Sequence, residues 1–150
     1  MNLPHKTVGI KEPGAEYYER PGAYIIPVCG NKVAFVRHKN AYALIGGGKE
    51  PGESNEECLI REVMEETGYS VKIGECFATA EQYKPDQTDI GYFHPFQFYY
   101  TGELIDPVCE RLEKDHFLEW IDINEASGRL FLEMQEFALS VLRERRSKNE

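Results

Sequence analysis

The sequence predicts an α+β fold in one domain, with helices covering a mixed β-sheet. Three observations carry this. Apolar, β-branched runs recur along the chain, only two segments show helical spacing, and those two lie mid-chain and at the C-terminal end. At 150 residues the chain has the length of one ordinary domain, long enough to bury a real core.

Residues 1 to about 18 are polar and punctuated by Gly and Pro, which predicts a loosely ordered arm or an edge strand. "GAYIIPV" and "KVAFVRH" are apolar runs separated by "CGN", so a hairpin with Gly30 and Asn31 at its turn is expected. "AYALIGG" reads as a shorter strand ending in glycines, followed by the turn-rich loop "GKEPGES". A helix is expected from about Ser54 to Thr67, with Ser54 as N-cap, Glu57 completing a capping box and Gly68 as the stop. "VKIGECFATAEQY" and "FQFYYTGEL" read as strands joined by the polar loop "KPDQTDIGYFHP". The loop "IDPVCERLEKDH" then leads to the strand "FLEWIDI". A final helix over roughly Leu130 to Arg145 has Leu132, Phe137, Ala138, Val141 and Leu142 at helical spacing. Its basic end, "RERR", suits the negative pole of a helix.

Composition narrows the functional classes. A chain 41% hydrophobic and 29% charged is globular, neither disordered nor collagen-like. No segment approaches the ~18 apolar residues of a membrane span. The N-terminal residues lack the apolar stretch of a signal peptide, so a cytoplasmic location is expected. Cys29, Cys58, Cys76 and Cys109 form no CxxC pair, which leaves a zinc site without sequence support and predicts four reduced, mostly buried thiols. A net charge of −9 argues against electrostatic capture of a nucleic acid duplex. It is compatible with an anionic small molecule if a metal cation stands between the two. A homodimer is the expectation from the prevalence of such assemblies.

The stretch "CLIREVMEETGY" concentrates Glu62, Glu65 and Glu66 in five positions. At about 100° per residue, Leu59, Ile60, Val63 and Thr67 fall within one arc, predicting a core-facing stripe. The three glutamates occupy a second arc beside it, and Arg61 lies just beyond. Taken alone, "REVMEE" reads as a solvated acidic face. Clustered carboxylates also supply the hard oxygen ligands that Mg²⁺, Mn²⁺ or Ca²⁺ prefer. The preceding "LIGGGKEPGES" brings three consecutive glycines to the same place, and glycine allows close backbone approach. Two phosphate motifs fail here. A dinucleotide fingerprint from Gly46 meets Pro51 where a glycine is required, and a P-loop pattern meets Glu50 after Gly48-Lys49.

Gly47 to Tyr69 resembles the signature of the Nudix hydrolases, MutT-like pyrophosphohydrolases of nucleoside diphosphates linked to another group. Gly47, Glu53, Arg61, Glu62, Val63, Glu65, Glu66, Gly68 and Tyr69 meet its nine specified positions with every spacing kept. Two departures are Ile45, where proline is frequent, and Tyr69, where the last position is usually aliphatic. The resemblance implies an α/β/α sandwich and catalysis with Mg²⁺ or Mn²⁺. It implies Glu62, Glu65, Glu66 and the carbonyl of Gly46 as metal ligands, with Glu53 and Arg61 orienting them. The general base would be Glu62 or an acid of a later loop, where Glu113 and Asp115 are the candidates and His116 could assist. A module that binds nucleotides without turnover is the alternative.

For the substrate, Tyr92 and Phe93, placed in the loop before a strand, are the stacking candidates, whereas Phe96, Phe98 and Tyr100 are assigned to packing. Glu81 and Tyr83 are expected on the substrate-facing wall. Pro85, sixteen residues past Tyr69, resembles the position that accompanies ADP-ribose or other ADP-sugars in the family. Dinucleoside polyphosphates and oxidised nucleoside triphosphates stay open.

Overall fold

Gly30 and Asn31 do turn the chain, and the computed structural model, which describes residues 2–85 and 91–148, builds outward from that hairpin. The elements in order are β1 (His5–Val8), β2 (Tyr17–Cys29), β3 (Lys32–His38), β4 (Ala41–Ala43), β5 (Ile45–Gly48), α1 (Asn55–Thr67), β6 (Tyr69–Gln82), β7 (Lys84–Pro85), β8 (Tyr92–Pro107), β9 (His116–Asp122) and α2 (Glu133–Lys148). β2 is shared by two ladders. Its length from Tyr17 to Pro27 runs parallel to β8, while Gly22–Ile25 pairs antiparallel with β5 on the other side. At Val28 and Cys29 it turns into the hairpin with β3, which carries β4 and β9. β6 lies antiparallel to β8, and β1 adds parallel to β6 as an edge strand. The N-terminal arm is therefore an edge strand.

Side chains alternate across β2, so Ala23 and Ile25 face one layer while Tyr24 and Ile26 face the other. The first layer is α1, through Cys58, Leu59 and Val63, and the second is α2, through Met134, Ala138, Leu139 and Leu142. This is the expected sandwich. α2 is also tied in by polar groups. Gln135, fully buried, accepts the Leu44 N–H at 2.9 Å and donates to Gln97 Oε1 at 3.2 Å, and Gln97 also accepts the Tyr99 hydroxyl. Among the described residues no helix is long and apolar enough to cross a membrane.

Some local expectations shift. "AYALIGG" breaks into β4 and β5 around buried Leu44. α2 begins at Glu133, and its buried positions include Met134, Gln135 and Leu139, with Leu132, Phe137 and Val141 at the margin. Cys29 and Cys109 are exposed, so the four free thiols are not mostly buried. In α1 the Ser54 and Glu57 capping box forms on both sides, and Gly68 stops the helix at φ 78°. Its buried face is rotated from the expected one. Cys58, Leu59, Val63 and Glu66 are buried, whereas Ile60 is 48% exposed. The helix thus leans its acidic side into the molecule.

Candidate active site

That lean brings the glutamates under the glycines of β5. Glu66 is 5% exposed and accepts the Gly46 N–H through Oε1 at 3.0 Å. Glu62 fills the space beside Gly47, where a Cβ would stand 2.5 Å from its Oε1. The glycines are needed because carboxylates occupy the room that side chains would take. Glu62 and Glu66 are close enough to hydrogen-bond to each other.

Arg61 organises the outer side of the cluster. Its Nε and one terminal nitrogen grip Glu53 as a fork at 2.8 and 2.9 Å. The same terminal nitrogen donates to the Gly48 carbonyl at 3.1 Å, while the other reaches Glu62 Oε1 at 2.9 Å and Glu65 Oε2 at 3.4 Å. Glu50 N–H also donates to Glu53 at 2.9 Å. The Arg61 bond and this backbone bond hold the Glu53 carboxyl down to about 2. Glu66 goes the other way. Burial, with help from the charge of Glu62, pushes it up to about 9 despite the Gly46 bond. Glu62 is raised too, chiefly by burial. Arg61 reaches Glu62 but not Glu66, so the innermost carboxylate is the one without the counter-charge that Glu53 has.

A cleft of about 510 Å³ opens over this pair, lined by Gly46, Gly47, Glu62, Glu66, Glu113 and His116 among others. The later loop reaches it because Leu112 and Glu113 donate their N–H groups to the Glu65 carbonyl at 2.8 and 3.0 Å. These bonds use a carbonyl the helix end leaves unpaired, and they set Glu113 on the rim. His116 Nδ1 stands 3.4 Å from Glu66 Oε2. Asp115 is not on the lining and pairs instead with His38 Nε2 at 2.7 Å. Among the described residues the three glutamates do not bring one oxygen each within 4.8 Å of one another. Glu65 is turned towards Arg61. The Glu62–Glu66 pair and the neighbouring backbone still suit a hard divalent cation, which would bind their ionised form.

The NUDIX domain matches residues 19–144 of the chain. The chain belongs to the NUDIX family. NAD-capped RNA hydrolase NudC of Stutzerimonas stutzeri (strain A1501) is 29% identical over 106 residues, 67% of this chain and 37% of that protein. A Bacillus subtilis (strain 168) protein, whose name gives 8-oxo-dGTP diphosphatase as its expected activity, is 42% identical over 60 residues, 35% of this chain and 40% of that protein. The chain spans about two fifths of the length of these curated relatives. In structure it resembles a MutT NUDIX hydrolase from Burkholderia pseudomallei, with a TM-score of 0.66 at 18% identity over 82% of this chain and 97% of that one. At that identity the likeness shows the fold alone.

Around the NUDIX signature, the outlying residues expected at the site divide. Tyr92 and Phe93 lie in β8 and not in a loop, so consecutive side chains point to opposite faces. Phe93 lines a pocket of about 130 Å³ that adjoins the cleft and shares Arg20, Tyr24 and Gly48 with it. Tyr92 packs on Tyr17 instead, on the far side. Glu81 and Tyr83 are also turned away from the cleft. Glu81 accepts from His5 Nε2 at 2.6 Å and is 2.8 Å from His94 Nε2, and the other ring nitrogen of His94 meets Glu19. Tyr83 stacks on His94 with centroids 4.2 Å apart. Pro85 is exposed and pairs with Tyr92, and residues 86–90 of the expected loop lie outside the described ones. The NUDIX cleft also contains residues not anticipated, among them Arg20, Tyr24, His38, Tyr42 and Gln135. Arg20, Gly22 and Tyr24 share one face of β2 by simple alternation, a signal present in the sequence. His38 and Gln135 reach the cleft only through long-range pairing.

Proposed function

We propose that this chain hydrolyses the pyrophosphate linkage of a nucleoside diphosphate joined to another group, with Mg²⁺ or Mn²⁺ held by Glu62, Glu65, Glu66 and the Gly46 carbonyl. The observation that carries this reading is the pair of Glu62 and buried Glu66 opening onto the cleft while Arg61 bridges Glu53 and Glu62. A bound divalent ion offsets phosphate charge and lowers the pKa of a water. The chain's own groups do the rest. Arg61 and Glu53 hold Glu62 in position, and Gly46 orients Glu66. Glu65, farther from Arg61 at 3.4 Å than Glu53 or Glu62, is the glutamate that must turn inward. Glu113 on the cleft rim is better placed than Asp115 to take a proton from the attacking water, with Glu62 the other candidate.

Arg20 supplies positive charge for the phosphates. Phe93, with Lys84 Nζ 5.3 Å from its ring centre, offers a stacking surface for the base in the adjoining pocket. An ADP-linked substrate is favoured. Pro85 points that way, as does the relative named for NAD-capped RNA, since NAD contains ADP. The test is a product screen with ADP-ribose, NAD, nucleotide sugars, dinucleoside polyphosphates, and ordinary and oxidised dNTPs, each with Mg²⁺ and Mn²⁺. Release of AMP from the ADP-linked compounds is expected. Release from none of them, together with tight nucleotide binding, would make the chain a binding module.

A further inference from the structure

Among the described residues, one set of potential ligand atoms lies close enough to converge on a single ion. One atom each from His38, Asp115 and His116 lie within 4.8 Å of one another. The fold creates this set. His38 ends β3, His116 opens β9, and the two are register partners in the antiparallel ladder. Their rings stand 5.0 Å apart at 59°, tilted and not stacked, and His38 Nε2 is 2.7 Å from Asp115 Oδ2. His116 Nδ1 is buried without a hydrogen bond, and the carboxylate oxygen beside it is Glu66 Oε2 at 3.4 Å.

We propose that His38, Asp115 and His116 form a second cation site, adjoining the glutamate cluster on its Glu66 side, that takes a borderline divalent ion of the Zn²⁺ class. The donor set decides the class. Two imidazole nitrogens and one carboxylate oxygen suit Zn²⁺, Co²⁺ or Ni²⁺, whereas Mg²⁺ and Mn²⁺ favour all-oxygen sites. Bonds of about 2.0–2.1 Å to tetrahedral zinc place ligand atoms about 3.3 Å apart, so the His38–Asp115 pair must open from 2.7 Å while separations above that value close. Their side chains are 46%, 65% and 27% exposed, which leaves room for that adjustment and a route for the ion. Three protein ligands leave a position open. Because His38 and His116 both line the cleft, that position is available to water or to an anionic oxygen of a molecule bound there. The site does not depend on pyrophosphate hydrolysis, and its test reads binding alone.

The probe is Co²⁺, titrated into the full chain in chelator-treated buffer and followed by visible absorption. Cobalt in a four-coordinate site with nitrogen ligands absorbs strongly, and in six oxygens weakly. The wild type should show an intense band that saturates at one Co²⁺ per chain, is removed by Zn²⁺ and survives excess Mg²⁺. His38→Ala and Asp115→Asn should weaken it at least about 100-fold, beyond what loss of an outer partner costs. Circular dichroism checks that both variants fold, and Glu62→Gln should keep the band. An absence of an intense band in the wild type overturns the proposal. So does loss of the band in Glu62→Gln, whether or not His38→Ala retains it, because the ion would then depend on the glutamates.

Discussion

Two groups of carboxylates sit on the same sheet and are treated in opposite ways. Beneath the glycines of β5, Glu62 is set back from solvent beside buried Glu66, and desolvation lifts both carboxyl groups above their ordinary range. Away from the cleft, Glu81 is also set back from solvent, but hydrogen bonds from His94, His5, Tyr83 and Thr7 outweigh that burial and bring it down to about 2. One group is matched by partners within the chain and closes four strands together, from β1 through β6 and β8 to β2. In the other, Arg61 meets Glu62 but does not reach Glu66, where the cleft opens. A carboxylate whose partners are all internal stabilises the fold, whereas one without them is available to a ligand.

The sharpest way to break this contrast is Glu66→Gln. The amide can still accept the Gly46 N–H, so thermal stability should hold or rise, while metal-dependent cleavage should fall at least about 100-fold. A loss of stability in this variant as large as that in Glu81→Gln would erase the distinction. Arg61→Lys comes next. Lysine cannot make the two-point grip on Glu53, so metal affinity should drop about 10- to 100-fold, read by titration calorimetry with Mn²⁺. Gly47→Ala tests the packing of carboxylate against backbone. A Cβ 2.5 Å from Glu62 Oε1 forces that side chain aside, so turnover should fall about 10-fold with little change in melting temperature.

Glu81→Gln sharpens the other half. The Glu81 carboxyl is depressed in the folded state, so its contribution is complete above its ordinary value of 4.5 and is lost as pH falls towards about 2. Wild-type stability should therefore decline over that window by at most about 3 kcal/mol relative to Glu81→Gln, in denaturant melts taken along the pH series. Activity near neutral pH should be unchanged by the substitution. A flat difference across the window would remove Glu81 from the matched group.

The sequence by itself determined what lies within a turn or two of its own residues. The Ser54–Glu57 capping box, the Gly68 stop, the Gly30–Asn31 hairpin and the signature from Gly47 to Tyr69 depend on short-range spacing, which any chain with these residues carries. The tertiary structure decided which way things face. α1 turned Ile60 outward and Glu66 inward because it packs on β5, where Gly46 and Gly47 have no side chains to keep a carboxylate out. β8 extended down to Tyr92 because β2 runs beside it that far, and strand parity then separated Phe93 from Tyr92. Glu113 came to the cleft through two backbone bonds to Glu65, and His38 met His116 only because β3 and β9 pair. Register between distant strands is set by the packing of the whole chain, and so a local pattern cannot announce it.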